Sequence, residues 1–111
     1  MITRLKISRS ATQFLHQRYK GLRQIFTPNI ILRNAMMFSV NNGDRYDDEE
    51  PDAGGSEFQI STLLGTKARL YELLFNQYYG RKLDDGEFKA IMSYHAEQGL
   101  RHTDFESVFK V

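Results

Sequence analysis

The stretch "TPNIILRNAMMFSVNNG", residues 27–43, constrains the fold of this chain more than any other. Thr27-Pro28 reads as a helix start: a hydroxyl residue at the N-cap, then proline at the first helical position, where a missing N–H costs nothing. Asn41-Asn42-Gly43 closes it, with Gly43 able to adopt the left-handed cap conformation. Between these signals the side chains are apolar nearly all round. A helix over Pro28 to about Val40 therefore belongs at the centre of a core or of an oligomer interface. Arg33 and Asn34 interrupt the run, so it falls short of the ~18 apolar residues of a membrane span.

The 111 residues suffice for one domain, and at that size the fold would gain from oligomerisation. Residues 3–7 alternate, Leu5 and Ile7 on one side and Arg4 and Lys6 on the other, as in a short strand. Ser8 or Ser10 can cap a first helix from about Arg9 to Leu22, with Ala11, Phe14, Leu15, Tyr19 and Leu22 on its buried face. Residues 42–57 form an acidic, Gly- and Pro-containing loop, expected to be exposed. "EFQISTLLG" (57–65) is ambiguous between strand and loop. A third helix spans about Thr66 to Tyr79, stopped by Gly80, and buries Leu70, Leu73, Leu74, Tyr78 and Phe75. Asp84-x-x-Glu87 resembles a capping box. The fourth helix runs from Asp85 to Gln98, buries Phe88, Ile91, Met92 and His95, and ends on Gly99. The fold class is thus mainly α: a small helical domain over 1–111 with a short N-terminal β-strand and a ribbon-helix-helix-like start.

The net charge of +1 conceals a split. Residues 1–41 hold seven cations (Arg4, Lys6, Arg9, Arg18, Lys20, Arg23 and Arg33) and no acid, whereas residues 42–111 hold eight cations against fourteen acids. Such asymmetry points the basic half toward a polyanion. Arg4 and Lys6 on a strand before two helices have the order of a ribbon-helix-helix unit, which lays paired strands in a DNA groove. Arg9, Gln13, His16, Lys20 and Arg23 recur at helical spacing and could contact phosphates, each cation displacing counterions. A merely solvated helix face is the alternative. The unbroken absence of acid favours a nucleic-acid surface.

Other chemistry finds little support. The loop's seven carboxylates among residues 44–57 do not follow the register of a calcium loop, and no metal is expected. His16, His95 and His102 lack ligand spacing, and His95 reads as a satisfied core histidine. "LLGTKARLY" is no phosphate loop, and no nucleophile motif occurs. Without cysteine there is no disulfide, thiolate metal site or cysteine nucleophile. No catalytic residue and no cofactor are expected. The N-terminus interleaves charged and apolar residues, unlike a secretory signal, so the expected location is the cytoplasm, without a membrane partner.

The segments "LKIS…ATQFLHQ", "TPNIILRNAMMFSV", "EFQISTLLG", "LYELL" and "EFKAIMSYHAEQGL" together resemble the DndE family of DNA sulfur-modification proteins, along nearly the whole chain. The resemblance implies a part in DNA phosphorothioation, the replacement of a non-bridging phosphate oxygen by sulfur. It implies a non-catalytic subunit that binds double-stranded, particularly nicked, DNA as a homo-oligomer, with a tetramer as the candidate size. The partners it implies are a cysteine desulfurase, a sulfur-transfer protein and an ATPase. A chain without cysteine cannot itself carry a persulfide, which agrees. Lys20, with Arg18 or Arg23, is the position the resemblance favours for DNA; Arg9, Lys6 and Arg4 complete the candidate set. The competing expectations are a ribbon-helix-helix repressor and a protein-interaction scaffold.

Overall fold

The computed structural model describes residues 3–46 and 53–109. Its first strand, β1 (Arg4–Lys6), is followed by α1 (Arg9–Gln13), a π turn (Phe14–Arg18) and a 3₁₀ turn (Leu22–Gln24). Then come α2 (Pro28–Asn41), β2 (Glu57–Gln59), the single-turn α3 (Ile60–Leu63) and a 3₁₀ turn (Gly65–Lys67). The chain continues through α4 (Ala68–Tyr79), α5 (Asp85–Arg101) and a closing 3₁₀ turn (Phe105–Phe109). The mainly helical fold with a short N-terminal strand is as the sequence indicated.

The strand a ribbon-helix-helix protein would pair with a second copy finds a partner inside this chain. β1 lies antiparallel to β2, with Arg4 opposite Gln59, Leu5 opposite Phe58 and Lys6 opposite Glu57. Leu5 and Ile7 point into the core while Arg4 and Lys6 face solvent, as the alternation requires. The pairing continues past the ladder: the Ile7 N–H donates to the Ser56 carbonyl at 3.0 Å and the Gly55 N–H to the Ile7 carbonyl at 3.0 Å. So residues 53–56 are tied to the start of α1, and Glu57 belongs to a strand rather than a loop. Asp44 is half-buried and bonded, not free in solvent. The acidic run 47–52 lies outside the described residues.

α2 occupies the centre, packing along α5 more extensively than along any other element. Its Ile31, Leu32, Ala35 and Met36 meet the Ile91, Met92, Ala96 and Leu100 face of α5 in one core. Pro28 stands at the start of α2 as expected, but Thr27 makes no side-chain cap bond. Gly99 does not end the fourth helix; α5 continues through it to Arg101. A Cβ on Gly99 would sit 1.9 Å from the Ala35 carbonyl oxygen and 2.8 Å from Ala35 Cα. Glycine stands there because the α2 backbone presses directly on α5, although glycine costs about 1 kcal/mol in a helix relative to alanine.

The other boundaries follow local chemistry. Ser8 caps α1, its Oγ accepting from the Ala11 N–H at 3.0 Å. Gly80, at φ +71°, ends α4 in the left-handed conformation. Asp84 and Glu87 form a reciprocal capping box at the start of α5, and Glu87 also pairs with Arg81. The single first helix expected over 9–22 is instead three pieces. In a straight α-helix, Ala11, Leu15 and Tyr19 would drift about 40° around the axis per step. The wider π turn, marked by the Tyr19 N–H bonding the Phe14 carbonyl at 2.9 Å, takes up that drift. Tyr19 is thereby buried, its hydroxyl donating to the Leu100 carbonyl at 2.5 Å.

α4 departs most from expectation. Of its expected buried face, Phe75 is buried and Tyr78 half-buried, whereas Leu70, Leu73 and Leu74 are 50%, 48% and 41% exposed. The helical periodicity is present, but nothing among the described residues covers those leucines.

Candidate nucleic-acid interface

The candidate cations fall on two neighbouring structures, the β-ribbon and the segment from α1 to the first 3₁₀ turn. On the ribbon, Arg4 and Lys6 are exposed but face an acid: Lys6 pairs in register with Glu57, and Arg4 Nη1 lies 3.8 Å from Glu57 Oε2. An exposed pair of this kind contributes at most about 1 kcal/mol. It nevertheless places a carboxylate among the groups that would have to meet phosphate.

Along the second segment, Arg9, Gln13, His16, Lys20 and Arg23 are all exposed. They share no single helix face, because the helix gives way at Phe14 and the chain turns at Tyr19–Gly21. Arg9 sits in the first turn of α1, where a cation opposes the helix dipole. Arg23 Nη1 lies 2.8 Å from His16 Nδ1, within hydrogen-bond distance. Among the described residues, no carboxylate lies within ion-pair distance of Arg18, Lys20 or Arg23.

Arg18 turns toward the far end of the chain. Its Nη1 donates to the Arg101 carbonyl at 3.3 Å. The Arg18 and Arg101 guanidinium carbons lie 5.9 and 5.6 Å from the centroid of the half-buried Phe14 ring. Arg101 was not a candidate from the sequence. A cation in the last turn of a helix reads as a complement to the helix dipole, and Arg18 lies 83 positions away. Phe14 was counted as core; the structure leaves it half-exposed between two cations. Glu97 holds Arg101 in place, Oε2 accepting from its Nε at 3.2 Å while Oε1 accepts from the Ser8 hydroxyl. The cap of α1 and the end of α5 are thus linked through one carboxylate.

A buried polar chain lies on another side of the core. His95 is fully buried. Its Nε2 is 2.6 Å from the Tyr79 hydroxyl, and its Nδ1 is 2.7 Å from Ser39 Oγ. The Ser39 hydroxyl donates to Asp44 Oδ2 at 2.8 Å, which also takes a bond from His102 Nε2 at 3.0 Å. With Ser39 donating to Asp44, His95 must carry its proton on Nδ1 and accept from Tyr79 on Nε2. Every polar atom of that chain is then satisfied with a neutral imidazole. Burial pushes the His95 pKa down to about 4, because the charged ring would lose its hydration. Burial likewise raises the pKa of Tyr79. This is the satisfied core histidine expected from the sequence, and it ties the start of the acidic segment to α2, α4 and α5. Among the described residues no cluster of His, Asp and Glu could hold a metal ion, and no helix is long and apolar enough to cross a membrane.

Comparison with known proteins places these observations in a family. Residues 4–109 match the model of a family described as DNA sulphur modification protein DndE. Among solved structures, the chain is similar to DndE from Escherichia coli B7A, involved in DNA phosphorothioation modification. The TM-score is 0.72 at 27% identity, covering 90% of this chain and 95% of that one. It is similar to the same degree to a glycine-to-lysine mutant of DndE involved in DNA phosphorothioation, with TM-score 0.71, 27% identity and 90% and 94% coverage. No curated protein sequence matches.

Proposed function

This chain belongs to the DndE family of DNA sulphur modification proteins, and from that premise we propose that it is the non-catalytic, DNA-binding subunit of a phosphorothioation system. The observation that carries the reading is the acid-free run of residues 1–41, whose exposed cations Arg18, Lys20 and Arg23 meet no carboxylate among the described residues. Exposed guanidinium and ammonium groups with no carboxylate partner can exchange counterions for DNA phosphates, and such contacts carry affinity without reading sequence. Arg9, Lys6 and Arg4 extend the surface, the latter two more weakly because Glu57 faces them. Duplex DNA is the ligand, with nicked duplex favoured. The chain lacks cysteine and therefore passes no persulfide itself. Sulfur chemistry falls to a cysteine desulfurase and a sulfur-transfer protein, working with an ATPase in the cytoplasm.

The reading includes self-association. Leu70, Leu73 and Leu74 form an exposed row on α4 beside a cavity of about 340 Å³ lined by Met37, Val40 and Tyr78. Apolar surface of this kind on a small protein supports a contact with another chain. We assign it to a homo-oligomer, which would also gather several basic surfaces on one duplex.

The double substitution Lys20→Glu with Arg23→Glu tests the DNA surface. Binding measured by gel shift should weaken alike on duplexes of unrelated sequence. Unchanged affinity would remove these residues from the interface. A repressor of ribbon-helix-helix type would instead prefer one operator and lose it on changing Arg4 and Lys6.

A further inference from the structure

We infer that the turn before α2 is a DNA-bending wedge, with Ile25 entering between two base pairs of an uninterrupted duplex while the cations beside it hold the flanking phosphates. The inference rests on the DNA-binding reading above and adds what this surface does to the shape of the duplex it holds.

Ile25 is 75% exposed, the most of any large apolar side chain among the described residues. A single exposed apolar side chain is ordinary on a protein surface. Two features of its setting distinguish this one. The first is its support. Four consecutive N–H groups bond back along the chain: Arg23 to the Tyr19 carbonyl at 3.1 Å, Gln24 to that of Gly21 at 3.2 Å, and Ile25 and Phe26 to that of Leu22 at 3.0 and 2.8 Å. Leu22 and Phe26 are half-buried and packed against the core, and the Phe26 ring centroid lies 4.9 Å from that of Phe109. The backbone of the turn is thus fixed with Ile25 outward, and the β-branched side chain has little rotamer freedom of its own. Parting stacked bases requires that stiffness, because a loose side chain would fold aside.

The second feature is its company. The other exposed side chains of the turn are Lys20, Arg23, Gln24 and Thr27: two cations, an amide and a hydroxyl, with no acid. Cations hold phosphates, and Arg and Gln are among the side chains that read the minor groove. Arg23, within 2.8 Å of His16 Nδ1, keeps other N–H groups for that purpose. A protein partner would meet an apolar patch of several side chains, such as the leucine row of α4. One stiff apolar tip among cations fits a base step instead. Minor-groove proteins insert such a side chain between base pairs and partly unstack them; the bent duplex then covers more of the protein surface, which offsets the cost.

The test uses one uninterrupted duplex with donor and acceptor dyes at its two ends, at saturating protein and fixed salt. Wild-type protein should draw the ends together by energy transfer, as a kink of about 20–90° requires. Ile25→Ser, an exposed substitution outside the core, should bind and leave the duplex straight. Ile25→Met, which keeps an apolar tip, should retain the bend. Ile25→Lys separates the wedge from charge: it adds a cation at the same place and should still abolish the bend. Bending by Ile25→Ser or Ile25→Lys equal to that of the wild type overturns the inference. So does a wild-type protein that binds the duplex and leaves it straight, and that result leaves the DNA-binding reading standing. A wild-type protein that does not bind overturns both.

Discussion

Replacing Gly99 with alanine tests the central packing of this fold against the ordinary rule for helices. In an exposed helix interior, Gly→Ala stabilises by about 1 kcal/mol. At Gly99 the new methyl would lie 1.9, 2.5 and 2.8 Å from the oxygen, carbonyl carbon and Cα of Ala35, all backbone atoms of a central helix. None of these can swing aside, so α2 and α5 must separate. That separation loosens the contacts of Ile31, Leu32, Met92 and Leu100. Overpacking of this severity costs about 1–3 kcal/mol or more and exceeds the propensity gain. A net loss near 2 kcal/mol lowers the melting temperature of a domain this size by about 10 °C. Gly86 in the same helix is the control: a Cβ there meets only Asp84 Oδ1, at 3.4 Å. Thermal melts followed by circular dichroism should show Gly99→Ala strongly destabilised and Gly86→Ala unchanged or slightly stabilised. A Gly99→Ala protein that melts at or above the wild-type temperature refutes the close-approach argument.

Three further outcomes follow from the same structure. The native His95 pKa of about 4 lies below the unfolded value of 6.5, so between those pH values the unfolded chain holds a proton that the native one does not. Stability is therefore full above about pH 6.5 and falls by up to about 3 kcal/mol toward pH 4; urea titrations at stepped pH should show this slope, flattened in His95→Gln. Asp84→Ala removes the acceptor of the Glu87 N–H and should cost about 1 kcal/mol with no change in the urea m-value. Leu73→Lys places a charge in the exposed row of α4 and should shift sedimentation toward smaller species; an unaltered profile would take α4 out of the self-contact.

Where the signals were local, the sequence was legible. The bounds of α2, the Asp84–Glu87 box and the burial of His95 rest on neighbours within a few positions, and the structure agrees. Features that depend on distant chain were not legible. Gly99 looked like a helix stop because Ala35, which requires it, is remote in sequence. The leucines of α4 carry a helical period that marks an apolar face but not which chain covers it. The first helix broke into pieces because Tyr19 reaches for the Leu100 carbonyl 81 positions on. Arg101 joined the basic surface by the same route, through contacts no spacing rule contains. Acid-free residues 1–41 could be counted in the sequence; that Glu57 returns to face Arg4 and Lys6 could not.

The central claim is that exposed cations of the N-terminal segment meet DNA phosphates. Its most direct test is the dissociation constant of the wild-type protein for one duplex, measured by anisotropy across a salt series. If ~6–10 phosphates are contacted across the assembly, affinity should fall about 10³–10⁵-fold between about 50 and 200 mM salt, linearly on logarithmic axes. Binding that does not respond to salt, or no binding at the lowest salt, would contradict it.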